Sequence, residues 1–450
     1  MKTSSAPRLT LRHLSWPMFI EQMTGGLCAF VDTLFLSMIS DTAAGSVGML
    51  GPIMMVGYFV LPQFTSAGTS VASQYLGAER EDKAIPSWIA NILISTCIGL
   101  IISIALFATS AHAGLWLGMT AEQNSYTSQY LSVLAINFVF VGIRFSYASI
   151  LLSKTLTHWN MIASVVTNLI NIPLNWFLMR GFWIVPALGV RGIALATVLS
   201  FVIGFLILFY MVHGKLKISF RIENPVKRVR AVITPILKIG VPSALEPFSY
   251  TMQNFFVTYL IVTLGITAMS AHTYVDRLMF VDMTVSWVMT FAGQILMSYH
   301  LGAGREDKVA STYWRVARIT VTFAFFNLLV YLVFHRFFFG IFTQDEAIIS
   351  TGFKIFLIAL FMEPIRSINV LGGVALKTVG DGRFSVIMGI IFMWGLVPVL
   401  FFVSSLGFGI IGLWGCLLAD ETIRAAINLW RWKSGRWLGK TVIEKETAPA

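Results

Sequence analysis

The chain has 450 residues, of which 56% are apolar and only 12% are charged. A soluble domain carries roughly 25% charged residues, so so few charges cannot cover a water-facing surface of this size, and a soluble class is excluded. The formal charge of +11 is explained by basic loops facing an anionic inner leaflet and requires no nucleic acid as partner.

Apolar runs near the roughly 20 residues that cross a bilayer predict twelve spans, at about 14–38, 46–73, 86–110, 123–150, 161–180, 188–212, 235–262, 270–297, 314–340, 348–376, 384–404 and 410–432. The loops on one side hold Arg180, Arg191 and Arg336, and most other Lys and Arg fall on the opposite side or in the tails. By the positive-inside rule both termini are expected in the cytoplasm. The first apolar run is too long for the h-region of a signal peptide. Cys28, Cys97 and Cys416 all lie in apolar runs without metal spacing.

The first span carries Asp32, flanked by Phe30 and Leu34. An acid at the bilayer centre costs about 2.5–3.5 kcal/mol on insertion scales, so its presence calls for a function such as taking up a proton or a sodium ion. After the second span comes Leu76-Gly77-Ala78-Glu79-Arg80-Glu81-Asp82-Lys83, a charged cytoplasmic turn. In the fifth span Asn168, Asn171 and Asn175 stand at i, i+3 and i+7 and share one helical face. Pro173 among them frees the carbonyl of Leu169. Thr197 follows in the sixth span.

The charged turn returns as Leu301-Gly302-Ala303-Gly304-Arg305-Glu306-Asp307-Lys308, 225 positions later, and the same offset pairs Pro17 with Pro242 and Glu21 with Glu246. Weaker echoes pair Lys154-Thr155 with Lys377-Thr378, and Gly189 through Gly192 with Gly409 through Gly412. A half-length repeat predicts two matched lobes. The expected fold is therefore an all-α membrane protein with twelve transmembrane helices, in two six-helix lobes related by a pseudo-two-fold axis along the membrane normal. The expected boundaries are an N-lobe over 1–212, a cytoplasmic linker over 213–234, a C-lobe over 235–432 and a cytoplasmic tail over 433–450. The linker carries Lys215, Lys217, Arg221, Lys227, Arg228 and Arg230, which fits a short amphipathic helix on the headgroups.

In the second half, acids within spans include Glu246 before Pro247, Asp276 and Asp282, and Glu363 before Pro364. Glu363 and Arg366 stand at i, i+3 and can neutralise each other. Glu246 and Glu363 can otherwise hold a cationic substrate, and Asp282 is a further candidate. Gly407-Phe408-Gly409-Ile410-Ile411-Gly412 spells a dinucleotide fingerprint but joins two membrane spans, where no strand precedes it. The histidines are scattered without metal spacing, no Gly-x4-Gly-Lys-[Ser/Thr] loop is present, and no nucleophile–base pair is spaced for catalysis.

Val31-Asp32-Thr33, the Leu-Gly-Ala-x-Arg-Glu-Asp-Lys turn and Ala375-Leu376-Lys377-Thr378-Val379-Gly380-Asp381 together resemble the multidrug and toxic compound extrusion (MATE) family. The resemblance implies a secondary antiporter that exports cationic or amphipathic compounds in exchange for protons or sodium ions, by alternating access of the two lobes. It implies that Asp32, Asn171, Asn175 and Thr197 form the cation or proton site. Glu246, Glu363, Asn168, Tyr250 and Asp282 are left as substrate or secondary coupling residues. Where sodium-coupled relatives often carry acids, this chain has Tyr250 and Arg366. No cofactor is expected beyond the coupling ion, H+ or Na+, and no metal beyond sodium at those four residues. The expected partners are a small cationic or amphipathic substrate and membrane lipids, with the protein a monomer in a bacterial inner (plasma) membrane. Two alternatives stand beside this: a flippase of the same superfamily for a lipid-linked sugar or lipid, and, from another class, a membrane-embedded enzyme.

Overall fold

A computed structural model describes residues 10–181 and 186–441. The described residues fold as helices, with no strand among them. They form two compact units that divide between Ala244 and Leu245.

The first unit comprises α1 (Leu11–Ser37), α2 (Asp41–Gly48), α3 (Gly51–Gly77), α4 (Glu81–Thr109), α5 (Ala113–Trp116), α6 (Ala121–Leu134), α7 (Asn137–Ser153), α8 (Thr157–Arg180) and α9 (Val190–Phe209), the last continued by a π-helical turn over Tyr210–Lys215. Helix α10 (Pro225–Thr263) carries the division. The second unit continues with α11 (Ile266–Gly302), α12 (Glu306–Val333), α13 (His335–Gly340), α14 (Glu346–Thr378), α15 (Gly382–Ser405) and α16 (Gly409–Lys433).

Local signals set many of these ends. Thr10, Ser40 and Asp345 each accept a backbone N–H at a helix start, and Thr120 with Gln123 forms a capping box. Proline at positions 17, 62, 173, 364 and 398 lies inside continuous helices, as membrane helices tolerate.

Among the described residues nine helices are long and apolar enough to cross a bilayer, and α6 with α7, bent by 40°, makes a tenth. Helices α3 and α16 fall where the two other expected spans lie and have the length, 27 and 25 residues. Helix α16 carries Asp420, Glu421 and Arg424 within it, which lowers its hydropathy. The fourth expected span is broken near Ala135 and Ile136, the ninth ends at Val333 with its last residues turned into the short helix α13, and short helices α2 and α5 lie mainly in connections between expected spans. The expected linker is partly helix: α10 starts at Pro225, so Lys227, Arg228 and Arg230 sit on its exposed first turns rather than on a separate segment. A proline at the first helical position is favourable because its missing N–H would be unpaired there. The expected tail is described only to residue 441; residues 442–450 lie outside the described residues.

Backbone geometry refines the repeat. Glu79 and Gly304, one repeat apart, both take left-handed φ, at 59° and 71°. The turn requires that conformation, which glycine adopts freely and glutamate does not. Thr155 and Gly380 likewise share φ of 60° and 84°. This pairing keeps the 225 offset and aligns Lys154 with Val379. The echo between Lys154-Thr155 and Lys377-Thr378 is therefore one of residue type, two positions out of structural register.

Small residues bring the spans of the first unit close. A methyl group on Gly142 would lie 2.4 Å from the Ser95 carbonyl oxygen, and one on Gly99 would lie 2.4 Å from that of Phe138. Both clashes are with backbone, which cannot turn aside as a side chain can. Gly142→Val is expected to lower stability by about 1–3 kcal/mol, read as a fall in the unfolding temperature of the purified protein. An unchanged melting curve would contradict the close α4–α7 approach.

Ion pairs fasten the charged turns. In the first unit Lys154 Nζ donates to Glu81 Oε1 at 2.5 Å. In the second unit Glu306, the repeat mate of Glu81, accepts the Gly439 amide at 3.0 Å. Asp381 accepts from Arg431 at 2.6 and 3.0 Å and from Lys440 at 2.5 Å. Burial works against the Asp381 charge, yet the hydrogen bonds from Arg431 and Lys440 prevail and hold its carboxyl below the usual carboxylate range. Trp437 stacks on Trp432, and Trp432 on Tyr313, with centroids 4.5 and 4.4 Å apart. The segment after α16 is thus strapped onto the second unit.

Candidate functional site

Helices α1, α8 and α9 pack together and bring Asp32, Asn171, Asn175 and Thr197 into one cluster. Asn175 Nδ2 donates to Asp32 Oδ1 at 2.6 Å and to Asn171 Oδ1 at 2.9 Å. Thr197 Oγ1 lies 3.4 Å from Asp32 Oδ2 and 3.2 Å from the Ile193 carbonyl oxygen, so its single proton serves two acceptors. Cys28, one turn before Asp32, donates its thiol to Asn171 Oδ1 at 3.4 Å. The two asparagines meet because they stand one turn apart on α8.

Acceptors outnumber donors in this cluster. Asn175 and Asn171 are buried, Asp32 is half-buried, and the Asn175 Oδ1 atom has no hydrogen-bond partner among the described residues. A buried carbonyl oxygen left unpaired beside a carboxylate is unfavourable. A proton on Asp32 relieves that shortage, and so does a monovalent cation held by the oxygens. The donor set of one carboxylate, two amide oxygens and one hydroxyl suits hard cations such as sodium.

Three further residues were not singled out from sequence: two tyrosines that sense the Asp32 charge and an asparagine beside one of them. Asn137 Nδ2 reaches the Tyr58 hydroxyl at 3.4 Å, while the buried Asn137 Oδ1 has no partner among the described residues. Tyr58 and Tyr130 both lie within electrostatic reach of Asp32. They come from α3 and α6, and Asn137 from the start of α7, so no periodicity connects them to Asp32.

Asn168 shares the α8 face but not the cluster: its Nδ2 is buried without a hydrogen-bond partner among the described residues. Glu246 on α10 accepts from Lys377 Nζ at 2.7 Å, which neutralises its charge. Glu363 pairs with Arg366, and Arg366 continues to Glu421 Oε1 at 3.4 Å. Tyr250 lies within electrostatic reach of Arg366. Glu421 also accepts from Asn369 at 2.8 Å and from Arg424 at 2.9 Å, and Arg424 donates to Asp420 at 2.6 Å. Asp420 and Glu421 were passed over in the sequence, although their i, i+4 and i, i+3 spacing to Arg424 is a readable signal. Asp282 is separate from this chain of pairs and accepts from Asn327 Nδ2 at 2.7 Å.

The repeat shows that the Asp32 cluster exists once. The 225 offset carries Asp32, Asn171 and Asn175 to Val257, Leu396 and Leu400, and the Gly189–Gly409 register carries Thr197 to Leu417. All four mates belong to, or pack against, one apolar cluster of the second unit. At those four positions the equivalent helices present apolar side chains, so the fold itself does not demand an acid at position 32.

Known proteins match the chain over nearly its full length. It is 28% identical to the uncharacterized transporter YisQ of Bacillus subtilis over 98% of this chain and 97% of that protein. It is 24% identical to the probable multidrug resistance protein NorM of Thermotoga maritima over 98% and 95% of the two chains. A solved structure of MATE in the straight conformation superposes with a TM-score of 0.85 at 20% identity, covering 97% of this chain and 99% of that one. The MatE family model matches twice, over residues 17–177 and 242–403, once in each half. The chain is therefore a member of the MatE family of transporters, a multi-pass membrane protein rather than an enzyme.

Proposed function

We propose that this protein is a secondary antiporter of a bacterial inner membrane that exports cationic or amphipathic small molecules against an inward gradient of protons or sodium ions. It acts as a monomer with both termini in the cytoplasm, and its two units give access to each side in turn. The carrying observation is the donor-poor cluster around Asp32. When a proton or cation loads there, the Asp32 charge that holds Asn175 Nδ2 at 2.6 Å is neutralised, and the link between α1 and α8 weakens. Ion loading thereby favours one arrangement of α1 over another, which is the differential interaction that coupling requires. One ion entering through 100 mV in exchange for a neutral or zwitterionic compound supplies about 2.3 kcal/mol, enough for a roughly 50-fold gradient, whereas a monocation exported one for one draws on the ion's concentration gradient alone. The flippase reading is less supported, because Arg366 and Arg424 are already engaged by Glu363, Asp420 and Glu421 and are not free for a phosphate.

The test is transport of ethidium by purified protein in sealed vesicles, with sodium and pH gradients imposed separately. Movement driven by one of these gradients is expected. Ethidium movement indifferent to both gradients would overturn the proposal.

A further inference from the structure

The second unit contains a polar cluster that the Asp32 site does not use. Asp282 on α11 is 0% exposed. Its Oδ2 accepts from Asn327 Nδ2 of α12 at 2.7 Å, while Oδ1 has no hydrogen-bond partner among the described residues. One turn further along α11, Ser286 Oγ lies 2.8 Å from Ser367 Oγ of α14, and Ser367 stands one turn after Glu363. Glu363 is 2% exposed and lies within electrostatic reach of Asp282.

The charges around Asp282 are known from each packed element. Helix α11 itself contributes Asp276, which acts on Glu363; α12 contributes Tyr331, beside Asn327. Helix α14 contributes Glu363 and Arg366, and Arg366 is committed to Glu363 and to Glu421 of α16. Among the described residues Asp282 therefore has an acid for its charged neighbour and no cation paired with it. A buried carboxylate in that position is strongly unfavourable unless something positive reaches it.

The repeat removes the explanation that the fold needs these groups. The 225 offset carries Asp282, Ser286, Asn327, Glu363 and Ser367 to Gly57, Leu61, Ile102, Phe138 and Gly142. There Phe138 fills the space over Gly57: a methyl group on Gly57 would lie 2.2 Å from its ring. Leu61, Phe138 and Ile102 belong to one apolar cluster. What the first unit closes with a phenyl ring, the second opens with two carboxyls, two hydroxyls and an amide. The reverse holds at the Asp32 site.

We infer that Asp282, with Asn327 and Glu363, forms a second ion-binding site, which takes up one proton or one small monovalent cation independently of Asp32. Each unit thus carries one such site, at non-equivalent positions of the repeat. The inference rests on the reading of the protein as ion-coupled, and equilibrium binding separates the two claims because it requires no transport.

The experiment uses purified full-length protein in lipid nanodiscs: wild type, Asp32→Asn, Asp282→Asn and Asp282→Glu. One arm records acid-minus-alkaline infrared spectra in the carbonyl-stretch region of protonated carboxyls, without sodium. The other measures equilibrium binding of radioactive sodium at fixed pH. Asp282→Asn is expected to lose one of two carboxyl bands, or one of two bound sodium ions, and Asp282→Glu to keep it. Loss in the first arm identifies the ion as a proton, and loss in the second as sodium. Asn327→Ala retains Asp282 but removes its amide donor, so it is expected to move the same band or weaken the same sodium; this holds the test open if Asp282→Asn does not fold. Asp282→Asn equal to wild type in both arms, or Asn327→Ala without effect in both, overturns the site. Loss at Asp282 with none at Asp32→Asn leaves this site standing and sinks the role given to Asp32.

Discussion

Asp32→Asn is expected to abolish gradient-driven export while leaving a folded, membrane-inserted protein. The asparagine amide is nearly the shape of the carboxylate, and its Oδ1 can still accept from Asn175 Nδ2, now 2.6 Å from Asp32 Oδ1. Packing of α1 against α8 is therefore retained. What disappears is the only side-chain charge in the cluster of Asp32, Asn171, Asn175 and Thr197, and with it the group that can exchange a proton or hold sodium at neutral pH. A neutral site offers no differential affinity for the ion, and without that the gradient does no work on the transport cycle. Ethidium export from vesicles is expected to fall at least about tenfold, equivalent to about 1.4 kcal/mol added to the barrier of the coupled cycle, with an unchanged melting curve. Wild-type export rates from a well-folded Asp32→Asn protein would refute the coupling role. Substitution of Thr197 by Ala removes only a shared 3.4 Å contact and is expected to have a smaller effect.

The largest stability effect is expected at Arg424. Its guanidinium is buried in α16 and donates to Asp420 at 2.6 and 2.9 Å and to Glu421 at 2.9 Å. Arg424→Leu leaves Asp420 with Gln253 at 3.4 Å as its remaining donor, and leaves Glu421 with Asn369 and the longer contact from Arg366. Breaking a buried ion pair by removing one partner costs about 3–5 kcal/mol, because the other charge stays buried. A marked fall in unfolding temperature is the measurable sign. Replacing the whole set, as Asp420→Asn, Glu421→Gln and Arg424→Met together, is expected to recover most of the loss, since no charge is then stranded. If the triple variant melts no higher than Arg424→Leu, shape at this position rather than charge governs stability.

Composition and apolar run lengths made the helical membrane fold legible, because a bilayer permits few alternatives to helices. The duplicated Leu-Gly-Ala-x-Arg-Glu-Asp-Lys turn fixed the repeat because its backbone conformation is shared, down to the left-handed residue at Glu79 and Gly304. Asn171 and Asn175 were legible as a pair because helical spacing is local information. Tyr58 and Tyr130 were not, since their nearness to Asp32 is made by packing between helices distant in sequence. The same holds for Asn327 beside Asp282, 45 positions away. Lys154 and Lys377 show the opposite error: the letters match, but the turns set a different register. Side-chain identity drifts after duplication more readily than a turn with positive φ does.

The two lysine–glutamate bridges, Lys154–Glu81 and Lys377–Glu246, differ in their contact with water. Glu81 of the first is 61% exposed, whereas Glu246 of the second is 27% exposed with Lys377 largely buried. Mobile ions crowd around the former and scarcely reach the latter. Raising the electrolyte concentration should therefore slacken one half of the molecule while sparing its twin, so that a common salt becomes a handle for addressing the halves one at a time.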